Sequence, residues 1–380
     1  MNNFKRAFLS QSELKDLESG LKNLSNQLGS PESKHTFLFV SPDIDCQKNG
    51  KLFEQYFGPN LSAVTTAGEI CGEGFVESST SGLSLHGNEF HVENFVFQDL
   101  SQVEDSLDAF QSLLKNVREQ ERRLGDQAKT FAVLLIDGLS IKEENVTGLL
   151  GNLLGEIPLV GGSAGDALNF GHTYLWDQGK FIENAAQVVF VSTTVPFEIF
   201  KIQHFNETDK KLVITESEPS KRIVAEIDGE PAAEAYADLL GMEVSEFSPQ
   251  TFSEYPVMLK IGEEYFVRSI QKVNDDNSLT FFCAIDDGLV LTLAERQDLY
   301  KRTQSFFEEV ESRIGQVSCS LLFECILRRL EVLNKTEEEK KSINDLYNKY
   351  KAVGFHTYGE QFGSIHINQT LTGVVFGEPK

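Results

Sequence analysis

Three short stretches of the chain set the same side chains around a glycine: Thr66-Ala67-Gly68-Glu69, Ser163-Ala164-Gly165-Asp166 and Thr357-Tyr358-Gly359-Glu360. Each follows a small apolar run (Ala63-Val64, Leu159-Val160, Ala352-Val353) and reads hydroxyl, any residue, Gly, acid. Backbone N–H groups in a glycine-rich turn bind carboxylate or phosphate oxygens, and an adjacent Asp or Glu can hold an ammonium. Brought together, the turns would offer the hydroxyls of Thr66, Ser163 and Thr357 and the acids Glu69, Asp166 and Glu360. The backbone of Gly68, Gly162 and Gly165 would supply the donors. That set suits a small zwitterion such as an amino acid. The competing reading is that each acid and hydroxyl satisfies only the backbone of its own turn. Arg268 lies mid-strand among apolar residues, either as a buried partner for a carboxylate or as an edge charge.

Other chemistries leave weaker marks. Gly161-Gly162-Ser163-Ala164-Gly165 matches the G-x-S-x-G nucleophile elbow, which would make Ser163 the nucleophile of a hydrolase. That elbow needs a helix straight after the serine, and Ala167 to His172 reads as a loop leading to a strand. Seven histidines are scattered without the spacing of a metal site. A haem needs only one axial histidine in an apolar pocket. His172 and His356, which adjoin the repeated turns, are the candidates, so haem is a possible cofactor where none is otherwise expected. Phosphate-loop and dinucleotide fingerprints are absent, Gly72-Glu73-Gly74 lacking the third glycine.

The elements that must position these turns recur with them. Thr36–Val40 and Thr130–Ile136 read as buried strands; each is followed by a helical segment, a second strand, the turn and a closing strand. A third copy opens near Leu321, passes through the charged helical stretch 335–351 and reaches its second strand at Val353. The sequence therefore predicts one supersecondary unit used three times. Between the second and third copies the texture changes. Short alternating strands at 211–215, 223–227, 255–261, 265–273 and 279–285 surround a helix opened by Pro231 and stopped by Gly241. Residues 294–313 read as a long amphipathic helix, and 11–28 as an N-terminal one.

At 380 residues the chain is long for a single core. The expected fold is α/β (α+β): two lobes of mixed sheets flanked by helices, with the lobe boundary at 197–209 and a binding cleft where the turns meet. Lys and Arg number 34 against 58 Asp and Glu, a net charge of −24. With no basic block to displace counterions, nucleic acid and anionic membrane surfaces are poor partners. No apolar run approaches the ~18 residues of a membrane span. Five scattered cysteines without a CxxC pair read as reduced thiols of a cytoplasmic protein.

Taken together, GGSAGD (161–166), IDGEPAAEAYADLLG (227–241), YFVRSI (265–270), LLFECILRR (321–329), GFHTYGEQFG (354–363) and INQTLTGVVF (367–376) are landmarks in an order that resembles FIST proteins. The resemblance implies an N-terminal helix (1–30), a FIST N-terminal domain (31–216) and a FIST C-terminal domain (217–380). It also adds Asn368, from the Asn-Gln-Thr of the last landmark, to the ligand-binding candidates. Such proteins are bacterial sensory modules that bind ligands, and some are similar haem proteins that sense nitric oxide and act on a histidine kinase. The implied function is a cytoplasmic sensor that binds a small molecule and signals through a histidine kinase or another partner protein. The haem-dependent gas sensor is the alternative and the hydrolase the third.

Overall fold

A computed structural model describes residues 3–30, 32–71, 74–76 and 79–379. Met1, Asn2, Pro31, Gly72, Glu73, Glu77, Ser78 and Lys380 lie outside the described residues, and with them part of the Gly72-Glu73-Gly74 stretch. The protein is a mixed α/β fold in which one unit is built three times. The unit runs edge strand, helix, strand, helical crossover, parallel strand, two-stranded hairpin, closing strand. The first copy comprises Phe4–Leu9, Leu17–Leu28, His35–Val40, Cys46–Phe57, Leu61–Thr65, the hairpin Glu69–Cys71/Gly74–Val76, and Thr80–Leu85. The second runs Phe90–Phe97, Leu107–Leu124, Lys129–Ile136, Glu143–Leu154, Leu159–Ser163, the hairpin Leu175–Asp177/Lys180–Ile182, and Ala186–Thr193. In the third, the edge strand Phe197–Ile202 is separated from its helix Leu299–Ile314. Val317–Cys325, two crossover helices (Ile326–Leu333 and Glu337–Lys349), Ala352–Thr357, the hairpin Glu360–Phe362/Ile365–Ile367 and Leu371–Gly377 complete it.

Each copy makes a sheet around its parallel pair, 35–40 with 61–65, 129–136 with 159–163, and 317–325 with 352–357. No sheet keeps its own hairpin. The first hairpin pairs with the third sheet, the second with the first sheet, and the third with the second sheet. The exchange closes a cycle. The inner faces of the three sheets share one core, with Phe37 and Phe39, Phe131 and Val133, and Leu321 and Phe323 meeting at its centre. Burial of such side chains, worth about 1.5–3 kcal/mol each, holds the sheets together, while each outer face is coated by its own copy's helices.

Residues between the third edge strand and its helix form a fourth sheet with a separate core, where Tyr236 and Phe252 of the helices Ala232–Leu240 and Pro249–Glu254 pack on Val224 and Leu279. Three expectations change here. The stretch 294–313 is not one helix: residues 294–296 end the strand Val290–Arg296, and the helix begins at Leu299, capped by Asp298 on the N–H of Lys301. The predicted strand 265–273 breaks into Glu264–Arg268, which pairs with Val257–Ile261, and Ile270–Val273, which pairs with Leu279–Phe281. The predicted N-terminal helix shortens to Leu17–Leu28, preceded by a strand whose six residues pair antiparallel with 80–85.

Candidate ligand-binding site

The three hydroxyl–glycine–acid turns meet. Gly165 N–H donates to Thr65 O (3.0 Å) and Ala167 N–H to Thr66 O (3.1 Å), joining the second turn to the first. Ser163 N–H donates to Gly359 O (2.8 Å), joining the second to the third, and Ala67 N–H donates to His356 O (2.9 Å), joining the first to the third. The glycines allow this approach. A Cβ on Gly165 would lie 2.8 Å from the backbone nitrogen of Ala67, and one on Gly162 2.5 Å from Thr357 Cγ2. Gly68, at φ +125°, sits against the guanidinium of Arg329.

Within the ring the acids are occupied. Glu69 accepts from Thr66 and from Ser79 (2.7 Å), and Glu360 from Thr357 and from the Thr370 hydroxyl (2.7 Å) and N–H (3.1 Å). Burial pushes the Glu69 carboxyl up to about 7 and that of Glu360 up to about 8, the hydrogen bonds only partly opposing it. Asp166 gathers the N–H groups of Phe170, Gly171 and His172 (3.0, 2.7 and 3.0 Å) and the hydroxyl of Tyr358. The bonding of Thr66, Glu69, Asp166, Thr357 and Glu360 is thus directed at their own turns and at each other.

Unsatisfied polar chemistry lies one layer out, at the seam between the third hairpin, the start of helix Glu143–Leu154 and the fourth sheet. Gln361 and His366 face each other across the hairpin, and Asn368 follows directly after its last strand. Gln361 Nε2 donates to Ser163 Oγ (2.9 Å) and to His366 Nδ1 (3.2 Å), which assigns the ring proton to Nε2. All three side chains are buried. Yet Gln361 Oε1, His366 Nε2 and both polar atoms of Asn368 have no hydrogen-bond partner among the described residues, and neither does the buried Ser269 Oγ on the facing sheet. Orphaned buried polar atoms cost about 1–3 kcal/mol each. Gly359 lets the His366 ring and the Asn368 amide pack against the backbone: a Cβ there would lie 2.3 Å from His366 Cε1 and 3.1 Å from Asn368 Nδ2.

Arg268, 7% exposed, ends the strand Glu264–Arg268 and reaches into this seam. Its Nη1 donates to the carbonyls of Val267 and His366, both at 3.3 Å, and among the described residues it makes no ion pair. Arg222, by contrast, is paired through its Nη atoms with Glu143 (2.7 Å) and Glu144 (2.7 Å), while Glu144 also accepts the Ala284 N–H (2.8 Å). Burial holds the His366 imidazole below its ordinary pKa despite the nearby Glu144 and Glu143. Nearby, Phe170 stacks on Tyr358 (centroids 4.9 Å) and approaches Phe282 (6.2 Å).

The remaining candidates fall elsewhere. His172 is largely exposed with Nδ1 on Glu183 (2.7 Å), at the rim of a cleft of about 340 Å³ lined also by Cys46, Thr65 and Tyr174. His356 is wholly buried in its strand, Nδ1 3.6 Å from Glu324, with burial and the charges of Arg329 and Arg328 holding its pKa well down. Neither setting fits the apolar pocket that a haem needs. No helix follows Ser163, and its hydroxyl bonds an amide rather than an imidazole, so the nucleophile-elbow geometry is missing. Sequence reasoning brought Ser163, Arg268 and Asn368 to the seam but passed over Gln361, His366, Ser269, Arg222, Glu143 and Glu144. The available signal was the polar His366 set between Ile365 and Ile367 in the last hairpin strand.

Fold and seam define a triplicated α/β scaffold with a cluster of unpartnered buried polar groups beneath an inserted sheet. The FIST N domain matches residues 34–230 and the FIST C domain residues 232–363, so the chain belongs to the FIST family, whose domains are sensory modules of signal transduction. A search of curated proteins finds no match. No helix among the described residues is long and apolar enough to cross a membrane.

Proposed function

We propose that this protein is a cytoplasmic sensor that binds a small carboxylate, amino acids included, in the seam, and signals through a partner protein such as a histidine kinase. The observation that carries the reading is the buried Arg268, which among the described residues bonds only the carbonyls of Val267 and His366, in a seam where both polar atoms of Asn368 also lack a partner. A buried guanidinium demands an anion, and a carboxylate matches its planar fork in two parallel hydrogen bonds. Asn368 Nδ2 and His366 Nε2 would donate to the rest of the ligand and Gln361 Oε1 would accept from it. Because Arg268 and Ser269 belong to the fourth sheet and the others to the third hairpin, occupancy would clamp the two together, which gives binding a differential effect on their docking.

The test is a thermal-shift screen over small carboxylates. A ligand at 100 times its Kd should add about 2.7 kcal/mol, and Arg268→Gln should erase the shift. Carboxylates that leave the melting temperature unchanged across the panel would sink the reading.

A further inference from the structure

We infer that the seam selects a carboxylate whose neighbouring polar group is an uncharged hydroxyl or oxo group, not an ammonium. The inference rests on the carboxylate reading above and narrows its ligand class.

It follows from counting which groups remain free to bond. A buried ammonium is strongly disfavoured unless a carboxylate faces it. Each acid near the seam already has a partner within the chain. Glu143 holds Arg222 through both oxygens (3.5 and 2.7 Å). Glu144 spends Oε2 on Arg222 and Oε1 on the N–H of Ala284. Glu69, Asp166 and Glu360 are closed within the ring by hydroxyls and backbone donors. Among the described residues Arg268 makes no ion pair at the seam, and a second positive charge beside it would be repelled.

What stays unmatched there is neutral. Asn368 offers a donor and an acceptor, Gln361 Oε1 an acceptor, His366 Nε2 a donor, and Ser269 Oγ either role. A hydroxyl both donates and accepts, so it can answer an amide oxygen and an imidazole N–H together. An oxo group answers the donors alone.

Matched pairs test this directly: lactate against alanine, malate against aspartate, and 2-hydroxyglutarate against glutamate, by thermal shift and titration calorimetry on the full chain. The expected result is that at least one hydroxy acid raises the melting temperature by roughly 3 °C at saturation, while its amino counterpart binds at least tenfold more weakly. Asn368→Leu should shrink that preference, and Arg268→Gln should abolish binding of both members. An amino acid that binds as tightly as its hydroxy partner overturns this inference and leaves the carboxylate reading standing. If no pair member binds, or binding survives Arg268→Gln in protein that retains its circular dichroism, the carboxylate reading falls and this inference with it.

Discussion

The second and third hairpins occupy matching places on neighbouring sheets and are built to opposite chemistry. Leu175 opens the second against Val64 of the first sheet, and Glu360 opens the third against Gly162 of the second. One residue further on, the cross-strand pair is Trp176 with Phe181 in one hairpin and Gln361 with His366 in the other. Both pairs lie beside the crossover helix of the sheet they join. The aromatic pair seals into a core with Phe53 and Leu61, and its indole N–H finds Gly50 O at 3.1 Å. The amide–imidazole pair is just as buried and left partly unbonded. The fold therefore needs a hairpin that covers a helix, and it does not need that hairpin to be polar. Polarity at Gln361 and His366 costs stability, which points to a ligand as its reason.

Copying the polar pair into the apolar hairpin gives the largest expected effect. Trp176→Gln with Phe181→His removes two core rings and buries unmatched groups, so it should cost more than about 4 kcal/mol. Thermal melts should show a large fall in melting temperature or no folded protein. A tolerant double variant would break the comparison.

Next in size is a pH effect inside the ring of turns. Glu360, at about 8, and Glu69, at about 7, lie above their unfolded values, so the folded state holds the extra protons. Their stabilising contribution is complete below about pH 4.5 and is lost as pH rises through 7 and 8, at about 1.4 kcal/mol per unit of difference. Glu360→Gln should flatten the fall in melting temperature between pH 6 and 8, with Glu69→Gln acting less. Variants that follow the wild-type slope would show that these acids are ionised in the fold.

The converse transplant should be mild. Gln361→Trp with His366→Phe removes orphaned groups and should change stability by no more than about 2 kcal/mol, in the stabilising direction if the rings fit. It should also eliminate any carboxylate-dependent shift in calorimetry. Retained binding would place the ligand elsewhere. Smallest of all is His172→Ala: the ring is exposed, and neither melting nor the absorption spectrum with added haem should change.

How much was legible in the sequence follows from element length and from where polarity sits. The turns announced themselves because a hydroxyl, a glycine and an acid repeat after a strand, and the long buried strands such as 129–136 carry continuous apolar runs. The hairpin exchange was hidden, since a three-residue strand such as Leu175–Asp177 has no periodicity to read and its partner is set by tertiary packing. Ala294 to Arg296 were read as helix because Ala, Glu and Arg favour one locally, and pairing with 205–207 overrode them. Arg268 was visible as an oddity, but only the structure separates a buried cation without an acid from an edge charge. Glu143 and Glu144 drew no reading from the sequence, because their partner Arg222 comes from the distant inserted segment.

The cyclic exchange of hairpins also bears on how the chain comes to fold. A unit that lends its hairpin to one neighbour and borrows from another has no closed sheet of its own, so the three must mature together. The strand Ala352–Thr357 meets the hairpin at Glu69–Cys71 only after most of the chain has emerged. Contacts so distant in sequence are slow to form, because loop-closure entropy is spent before they reward it. Until that last strand docks, the third sheet lacks its borrowed hairpin and two sheet edges stay unpaired. The nascent protein is thus most exposed to aggregation and proteolysis late in synthesis, and a fragment ending near residue 230 would carry the same open edge permanently.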